Sequence, residues 1–524
     1  MAVTAAGTIA EQILRGAAAH DQCDVTFAGA DSTRPVTLGE LVTDAERAAG
    51  ALQVLGVRAG DVVGVQLPGT YEGAVVQAAV SLCGAVLLPI VMIYGPRELG
   101  FVLRQSGAVG LAMPETYRGR EHATEILGRL GAVPSLKFAV VVGDGPPPAG
   151  AIRYADLCGR LSRPYQQPDL SPDQRAMLVY TSGTTAEPKG VQHSHRSLLA
   201  EVMTPARGGD EAADSRQLAM FPPGHVAGLL GLVRLLVRGT PTVVLETWDP
   251  RRAASLIDSY QITNTAGAPV QLAGLLDQQA SGAASLASVR SFLTGAAAVP
   301  PSLVERADAA GIIAFRSYGS SEHPTVSSGS VTDPLAKRAC TDGAVLHGNK
   351  VRLIDADGHD APAGQVGEIV TTGPELFLGY TDLALDAAAF LPGRWYRTGD
   401  LGFLDADGYL TVTDRLKDII IRGGENISSK EIEDLLAEHP AVAEVAVVAA
   451  PDPVMGERVC AVVVPRAGHS FDVAEAMRYF ADAGVARQKT PEVVLLVDEL
   501  PRTPAGKIQK FVLRTLAADE PLEP

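Results

Sequence analysis

Apolar and polar positions follow two periods along the first part of the chain. Residues 37–56 carry apolar side chains at helical spacing, residues 61–68 form a short apolar run, and residues 73–84 return to helical spacing before a second run at 85–91. A similar alternation extends from residue 217 to residue 318. Strands separated by helices of this length pair in parallel and are covered by the helices. The pattern therefore predicts an α/β domain of helix-covered sheets.

The pattern changes after residue 350. Residues 351–412 hold short β-like runs with Asp-Gly turns at Asp357 and Asp407, an arrangement typical of hairpins. They predict a small β-barrel-like subdomain at the end of a large N-terminal domain, residues 1–413. The remaining residues, 414–524, predict a small α+β C-terminal domain.

The C-terminal domain begins with a helix signal. Ser428 followed three residues later by Glu431 predicts a capping box, in which each side chain accepts from the backbone amide of the other residue. Apolar runs at 443–450 and 458–465 predict two strands, and helical spacing over 471–484 predicts a second helix.

Length and charge narrow the classes of function. A chain of 524 residues exceeds what one hydrophobic core serves, so two or more domains are expected. Its formal net charge of −16, without a Lys/Arg run, argues against binding to nucleic acid or to an anionic membrane. The five cysteines are scattered without paired spacing, which indicates reduced, buried thiols. The start lacks the features of a signal peptide, so we expect a soluble cytoplasmic protein without stable membrane association.

Residues 180–190, YTSGTTAEPKG, form the most informative segment. After an apolar strand, the loop offers three hydroxyls, a glycine and a lysine: Ser182, Thr184, Thr185, Gly183 and Lys189. Amides, hydroxyls and a cation that converge on a small volume are what a polyphosphate requires. The loop is not a Walker P-loop, because Gly190 follows the lysine where that motif has Ser or Thr. A polar surface turn is the alternative interpretation.

Six segments in fixed order resemble the acyl-adenylate-forming superfamily, which includes acyl-CoA synthetases, adenylation domains of peptide synthetases and beetle luciferases. They are YTSGTTAEPKG (180–190), FPPGH (221–225), YGSSE (318–322), YRTGD (396–400), DRLKDIIIRGGENIS (414–428) and PRTPAGKIQK (501–510). The residues before 180 fit the first lobe of the family. Within the family, the chain looks most like synthetases for alicyclic or medium-chain acids, such as cyclohexanecarboxylate.

The resemblance implies how ATP and Mg²⁺ are held. Glu322 and Thr184 match the metal-binding residues, and Mg²⁺ prefers such oxygen ligands. Tyr318 matches the tyrosine that stacks on adenine, and Asp400 the acid that accepts from both ribose hydroxyls. The other residues assigned to ATP by the resemblance are Thr181, Ser182, Gly183, Thr185, Lys189, Gly295, Ala296, Ala297, Arg316, Gly319, Ser320, Ser321 and Arg415. Arg316 stands where relatives often have an amide near adenine.

Lys507 matches the lysine that promotes the first half-reaction. A carboxylate that attacks the α-phosphate brings two anions together, and a lysine between them offsets their repulsion. At an effective dielectric constant of about 20, one such charge pair at about 4 Å contributes about 4 kcal/mol before desolvation. Without the resemblance, a lysine this near the C-terminus would be interpreted as a solvated surface residue.

The resemblance also implies a rotating C-terminal domain. Lys417 matches the hinge, and rotation brings Gly423 and Gly424 to the active site, where their backbone lines the channel for the pantetheine arm of CoA. Such an exchange of lids is a known device for running two steps at one site.

The acid pocket is expected along residues 225–231, 265–269 and 295–297, which are apolar and small. In this interpretation, His225 divides the acid pocket from the thiol channel and counts among the catalytic residues with Lys507, Thr184 and Glu322. A structural histidine is the alternative. His193 and His195 have metal-like spacing but no carboxylate or thiol to complete a site, so we interpret them as structural.

These observations predict an AMP-forming acid–thiol ligase that uses ATP, Mg²⁺ and CoA on a hydrophobic carboxylic acid, as a monomer or a homodimer. One alternative is an acyl-AMP ligase that passes the acyl group to a carrier protein or a partner enzyme. A luciferase-like oxygenase and a non-catalytic nucleotide sensor are more distant alternatives. The sensor is disfavoured because Lys507, Glu322 and Lys189 are all present.

Overall fold

The computed structural model describes residues 7–161, 163–181, 188–204, 207, 214–362, 364–422, 425–483, 485, 487–502 and 507–519. The chain divides into two compact units. The first consists of Met1–Ala339, Val345–Lys350 and Thr372–Arg394, and the second of Cys340–Ala344, Val351–Thr371 and Trp395–Pro524. A functional boundary at residue 414 stays a prediction, because compactness alone groups the preceding strands with the C-terminal domain.

The described helices have the following bounds in chain order. They are α1 (Ile9–Ala19), α2 (Leu38–Val54), α3 (Tyr71–Leu82), α4 (Pro96–Ser106), α5 (His122–Arg129), α6 (Tyr154–Asp156), α7 (His195–Met203), α8 (Val226–Arg238), α9 (Pro250–Tyr260), α10 (Pro269–Ala280), α11 (Pro301–Ala309), α12 (Leu335–Cys340), α13 (Asp386–Ala389), α14 (Ser429–Ala437), α15 (Val473–Asp482) and α16 (Lys510–Asp519). Among them, none combines the length and the apolar character needed to cross a bilayer.

The described strands alternate with these helices through the first unit and cluster in the second. They are β1 (Asp24–Ala28), β2 (Thr33–Thr37), β3 (Val62–Val65), β4 (Val86–Pro89), β5 (Gly110–Pro114), β6 (Phe138–Val142), β7 (Ala151–Arg153), β8 (Arg175–Thr181), β9 (Lys189–Ser194), β10 (Gln217–Ala219), β11 (Thr242–Leu245), β12 (Asn264–Gly267), β13 (Ser291–Thr294), β14 (Ile313–Tyr318), β15 (Ser327–Ser328), β16 (Ala344–Val345), β17 (Lys350–Ile354), β18 (Gly367–Thr372), β19 (Gly379–Tyr380), β20 (Phe390–Leu391), β21 (Trp395–Leu404), β22 (Leu410–Arg415), β23 (Ile420–Arg422), β24 (Glu425–Ile427), β25 (Val442–Asp452), β26 (Gly456–Pro465) and β27 (Val493–Leu496).

Two large sheets form the first unit. One has the order β19-β9-β8-β4-β3-β5-β6-β7, and the other contains β15-β14-β13-β12-β10-β11-β1-β2. Most neighbours are parallel, as the alternating pattern predicts, and antiparallel pairs lie toward the ends, at β8–β9, β9–β19, β14–β15 and β1–β2. The predicted elements at residues 37–91 are confirmed as α2, β3, α3 and β4. Capping explains where α2 begins, since Thr37 and Glu40 form a reciprocal capping box.

The second unit contains a curled sheet and an α+β layer. In the curled sheet, β18 pairs with β21 and β21 with β22, each pair with a register shift. The Asp-Gly turns are confirmed as tight turns, with Gly358 at φ 84° and Gly408 at φ 80°. The predicted fold class, α/β with a β-rich subdomain and a small α+β domain, is thus confirmed.

The α+β layer explains the unbroken apolar run of β25. Val447 packs with Leu436 of α14 and Phe480 of α15 on one face of the sheet, whereas Val448 packs with Leu513 of α16 on the other. A strand that is buried on both faces needs apolar residues at every position.

Two local expectations need correction. The predicted capping box is half formed: the Ser428 hydroxyl accepts from the Glu431 amide, but the Glu431 carboxylate accepts from Lys489 Nζ at 2.6 Å instead of from the amide of Ser428. The cysteines are free as expected, but only Cys83 and Cys460 are buried; Cys23 and Cys158 are partly buried, and Cys340 is exposed.

Candidate active site

The sheet that contains β10, β12, β13 and β14 has parallel strands that end at one edge of the first unit. β10, β12, β13 and β14 are consecutive neighbours, and near their ends Thr294 is opposite Arg316. The carboxyl ends of parallel strands are where α/β sheets bind ligands. Three segments that the sequence singled out separately follow these ends and are brought together there: 221–225 after β10, 295–297 after β13 and 318–322 at the end of β14.

Backbone approach is close at this edge. A Cβ on Gly295 would lie 2.8 Å from the carbonyl oxygen of Ser317, and one on Gly319 would lie 1.9 Å from that of Pro324. Ala296 adopts a left-handed φ of 65°, which is strained for alanine. Glycine at positions 295 and 319 is therefore required by packing, and the strained residue lies in the segment predicted to line adenine and the acyl group.

Two paired strands flank the predicted phosphate loop. β8 and β9 are antiparallel, and Thr181 at the end of β8 is opposite Lys189 at the start of β9. The loop residues Ser182, Gly183, Thr184 and Thr185 lie outside the described residues, so their predicted roles stay predictions. The hairpin nevertheless fixes where the loop begins and ends.

Glu322 and Lys189 both contact Tyr380, a residue that the sequence analysis missed. The Tyr380 hydroxyl donates to Glu322 Oε1 at 2.8 Å, and Lys189 Nζ lies 5.4 Å from the centre of the tyrosine ring. Among the described residues, Glu322 Oε2 has no hydrogen-bond partner. A carboxylate with one oxygen positioned and the other available fits the oxygen ligation that Mg²⁺ prefers.

A buried acidic network holds the segment after Glu322. Arg234 Nη2 contacts both carboxylate oxygens of Glu201, and Glu201 Oε1 accepts from the Thr325 hydroxyl at 3.1 Å. The Thr325 amide donates to Glu375 Oε2 at 3.2 Å. Burial, together with the nearby Glu201, raises the pKa of Glu375 to about 8. A protonated Glu375 avoids an uncompensated buried charge beside Glu201.

Three residues that precede Glu322 and were predicted to bind ATP make contacts within the protein. Arg316 is buried, and its Nη1 donates to the Ala339 carbonyl at 3.0 Å. The Ser320 hydroxyl accepts from the His323 amide at 3.2 Å. The Ser321 carbonyl accepts from His193 Nε2 at 2.7 Å.

The histidines differ in their surroundings. His193 engages both ring nitrogens, Nε2 with Ser321 and Nδ1 with the Ser197 hydroxyl at 3.1 Å, which is the arrangement of a structural histidine. His225 occupies the N-cap position of α8 without capping it, and within the described residues its buried Nε2 has no hydrogen-bond partner. Burial lowers the pKa of His225 to about 4, so the ring is neutral near pH 7.

In the second unit, the structure brings Asp400, Arg415, Lys417 and Lys507 together. Asp400 on β21 is opposite Arg415 on β22, and its Oδ1 lies 2.8 Å from Arg415 Nε. Burial, helped by the nearby Arg415 and Lys417, lowers the pKa of Lys507 to about 8, and Asp400 and Asp418 partly oppose this shift. Four residues predicted from three separate motifs therefore share one electrostatic environment.

Local contacts fix the segments that carry these lysines. Arg502 bridges to Ile508, and the Gln509 amide donates to the Pro501 carbonyl at 2.8 Å, so the strand-like pair closes the loop that ends at Lys507. Arg514 Nη2 donates to the Lys417 carbonyl at 3.2 Å and pairs with Asp418. Gly423 and Gly424, predicted to line the CoA channel, lie outside the described residues.

The pKa of Lys507 gives a pH prediction. Because the lowered pKa makes the ammonium lose its proton as pH rises through about 8, adenylate formation should fall to about one tenth of its plateau at pH 9. The measurement is kcat/KM for acid-dependent pyrophosphate exchange from pH 6.5 to 10. Lys507→Arg is the matched variant: arginine stays charged, so any activity it retains should not fall in this range. A wild-type profile that is flat to pH 10 would contradict the prediction.

Two models of known protein families match the chain. The family model of the AMP-binding enzymes matches residues 16–381, and that of the AMP-binding enzyme C-terminal domain matches residues 431–507. The medium-chain fatty-acid–CoA ligase of Escherichia coli is 33% identical over 462 residues, which cover 88% of this chain and 82% of that protein. The indoleacetate–CoA ligase of Aromatoleum aromaticum is 35% identical over 386 residues, which cover 73% and 76%.

Solved structures agree as well. The anthranilate CoA ligase AuaEII in complex with anthranoyl-AMP has a TM-score of 0.87 and 25% identity, with 98% of this chain and 97% of that chain covered. ATP-bound MatB from Rhodopseudomonas palustris has a TM-score of 0.84 and 27% identity, with 97% and 99% covered.

Proposed function

The chain belongs to the AMP-binding enzyme family, and from this membership we propose that it activates a hydrophobic carboxylic acid as an acyl-AMP and transfers the acyl group to CoA. It is an AMP-forming acid–thiol ligase. The observation that carries the proposal is the meeting of Glu322 and Lys189 on Tyr380, which joins a metal-binding carboxylate to a phosphate-binding cation. The relatives from Escherichia coli and Aromatoleum aromaticum and the structure of AuaEII are named as CoA ligases, which favours CoA over a carrier protein as the acceptor.

The first half-reaction forms a bond from a carboxylate oxygen of the acid to the α-phosphorus of ATP. The bond from that phosphorus to the bridging oxygen breaks, and pyrophosphate leaves. Lys189 binds the phosphates, and the ammonium of Lys507 offsets the repulsion between carboxylate and α-phosphate. Mg²⁺, when bound at Glu322, neutralises part of the phosphate charge. Asp400, buried and paired with Arg415, offers acceptors for the ribose hydroxyls.

In the second half-reaction, the CoA thiol attacks the acyl carbonyl and AMP leaves. The proposed rotation at Lys417 and the channel at Gly423 and Gly424 rest on the family resemblance.

A narrow apolar cavity lies next to the segment that carries His225. The cavity has a volume of about 40 Å³ and is bounded by Gly228, Gly231 and Leu235 of α8, and by Phe27, Ala74 and Val244. No Asp, Glu, Lys or Arg is among the described residues that line it. Of the three segments expected to line an acid pocket, only 225–231 contributes; 265–269 and 295–297 do not. We assign this cavity to the distal, hydrophobic end of the acid.

Gly231 gives a test of that assignment. A Cβ at Gly231 meets no atom within 4 Å, so a leucine there can extend into the cavity without a backbone clash. Gly231→Leu should lower kcat/KM for medium-chain and alicyclic acids by about 10–100-fold and leave short acids within a few-fold of wild type. Acid-dependent pyrophosphate release across a chain-length series measures this.

Gly128→Leu is the matched control, because Gly128 is also a helical glycine with open space at its Cβ, but it is exposed on α5. Equal losses for short and long acids in Gly231→Leu would mean that the cavity does not hold the acyl chain.

The reaction itself is tested by pyrophosphate release over aliphatic, alicyclic and aromatic acids, with products detected by mass with and without CoA. The proposal predicts acid-dependent pyrophosphate release and a CoA thioester. Acyl-AMP without thioester would favour the carrier-dependent alternative. ATP binding without pyrophosphate release for any acid would favour a nucleotide sensor.

A further inference from the structure

Tyr380 contacts both residues that the proposed function assigns to the phosphates of ATP and to their metal ion. We propose that Tyr380 is a positioning residue: its hydroxyl orients Glu322 for Mg²⁺, and its ring places Lys189 for the phosphates. This role rests on the proposed function of the site. It concerns a residue that none of the six sequence motifs contains.

Backbone hydrogen bonds attach the segment around Tyr380 to the strand that carries Lys189. In the β19–β9 pair, Tyr380 is opposite Val191. On one side of the pair the Leu378 amide donates to the Gln192 carbonyl at 2.7 Å, and on the other the Thr381 amide donates to the Gly190 carbonyl at 2.8 Å. The short strand β19 therefore pairs with the start of β9, and the register of this pair fixes the position of Tyr380 relative to Lys189.

The side chain is fixed as firmly as the backbone. The Tyr380 ring packs edge-on against Phe377, with 5.0 Å between ring centres, and the Tyr380 amide donates to Asp386 Oδ1 at 2.9 Å. The Phe377 amide in turn donates to the Glu322 carbonyl at 2.9 Å, so the segment that carries Glu322 is attached to the same short stretch. Tyr380 is 4% exposed, which leaves its hydroxyl little freedom to turn to solvent.

This placement gives the tyrosine a specific electrostatic effect. Glu322 and Lys189 have opposite charges and contact the same tyrosine side chain, yet the described residues show no ion pair between them. The Tyr380 hydroxyl donates to the Glu322 carboxylate. The Lys189 ammonium lies close enough to the centre of the Tyr380 ring for a cation–π contact. Glu322 can therefore keep its contact with Tyr380 while it binds Mg²⁺, and Lys189 can keep its own while it binds the phosphates. Because each contacts Tyr380, Glu322 and Lys189 do not pair with each other.

Two substitutions separate the two contacts. Tyr380→Phe keeps the ring and removes the hydroxyl, so ATP binding without metal should stay near wild type while the gain in affinity on adding Mg²⁺ falls by about 10-fold. Tyr380→Leu removes the ring as well, so metal-free ATP binding should also weaken. The measurement is the Kd of ATP by isothermal titration calorimetry on the full chain, in EDTA and in excess Mg²⁺, and it needs no turnover.

Tyr71→Phe is the matched control. Tyr71 is also 4% exposed, and its hydroxyl also donates to a carboxylate, Asp44 Oδ2, at 2.7 Å. It should lower the melting temperature about as much as Tyr380→Phe and leave both Kd values unchanged.

An unchanged Mg²⁺ gain in Tyr380→Phe, or an equal loss of affinity with and without the metal, would overturn the positioning role. If the wild-type chain itself binds ATP no better with Mg²⁺ than in EDTA, the positioning role is likewise overturned. Absence of acid-dependent pyrophosphate release from wild type would instead count against the proposed function, so the two failures are distinguishable.

Discussion

Lys507→Ala is expected to slow acyl-adenylate formation by about 10²–10³-fold and to leave thioester formation from supplied acyl-AMP within about twofold of wild type. The ammonium acts where two anions must approach, and that approach occurs only in the first half-reaction. Its neighbours Asp400 and Arg415 place it in the environment assigned to the ribose and the α-phosphate. The two rates are measured separately, by rapid quench with ATP and acid, and by thioester formation from chemically prepared acyl-AMP.

Lys489→Ala is the control for this substitution. Lys489 lies in the same unit and pairs with the exposed Glu431, a contact of small energetic weight. It should leave both half-reactions unchanged. If Lys507→Ala slows the two half-reactions equally, the lysine does not act on the first step and its assigned role is wrong.

Glu322→Gln is expected to lower adenylate formation by about 10²–10³-fold and to raise the Mg²⁺ concentration needed for half-maximal rate. The amide keeps the shape of the side chain and an oxygen that can accept from Tyr380, but it loses the negative charge that attracts the metal. Thioester formation from supplied acyl-AMP should persist, because no polyphosphate is bound in that step. Initial rates over a Mg²⁺ series measure the change.

Glu125→Gln controls for the loss of one carboxylate. Glu125 pairs with Arg120 at the surface, and its substitution should affect neither the rate nor the Mg²⁺ requirement. A Glu322→Gln variant with wild-type Mg²⁺ dependence would remove Glu322 from the metal site.

The layered fold was predictable because its signal is local. The apolar periods of α2, β3, α3 and β4 can be read within windows of a few turns, and so can the Asp-Gly turns at Gly358 and Gly408. Glu431 shows the limit of such local signals. Its position fits a capping box, but Lys489, far along the chain, attracts its carboxylate instead.

Parts of the site could not be predicted from local sequence patterns, because they depend on contacts between residues that are distant along the chain. The segments at 221–225, 295–297 and 318–322 have recognisable motifs, but their meeting depends on the sheet order β14-β13-β12-β10, in which β12 pairs with β10 and not with β11, the strand that precedes it in the chain. Tyr380 has no motif around it, and only the pairing of β19 with β9 brings it to Lys189. The apolar cavity likewise draws Phe27 and Ala74 from distant segments of the chain.

The central claim is that the triphosphate of ATP binds between Lys189 and Glu322 at the carboxyl edge of the first unit. A crystal structure with a non-hydrolysable ATP analogue and Mg²⁺ tests it most directly. We expect phosphate oxygens within hydrogen-bond distance of Lys189 Nζ, a metal ion on a Glu322 oxygen, and the Tyr380 hydroxyl still hydrogen-bonded to that carboxylate. A triphosphate bound away from both Lys189 and Glu322 would contradict it.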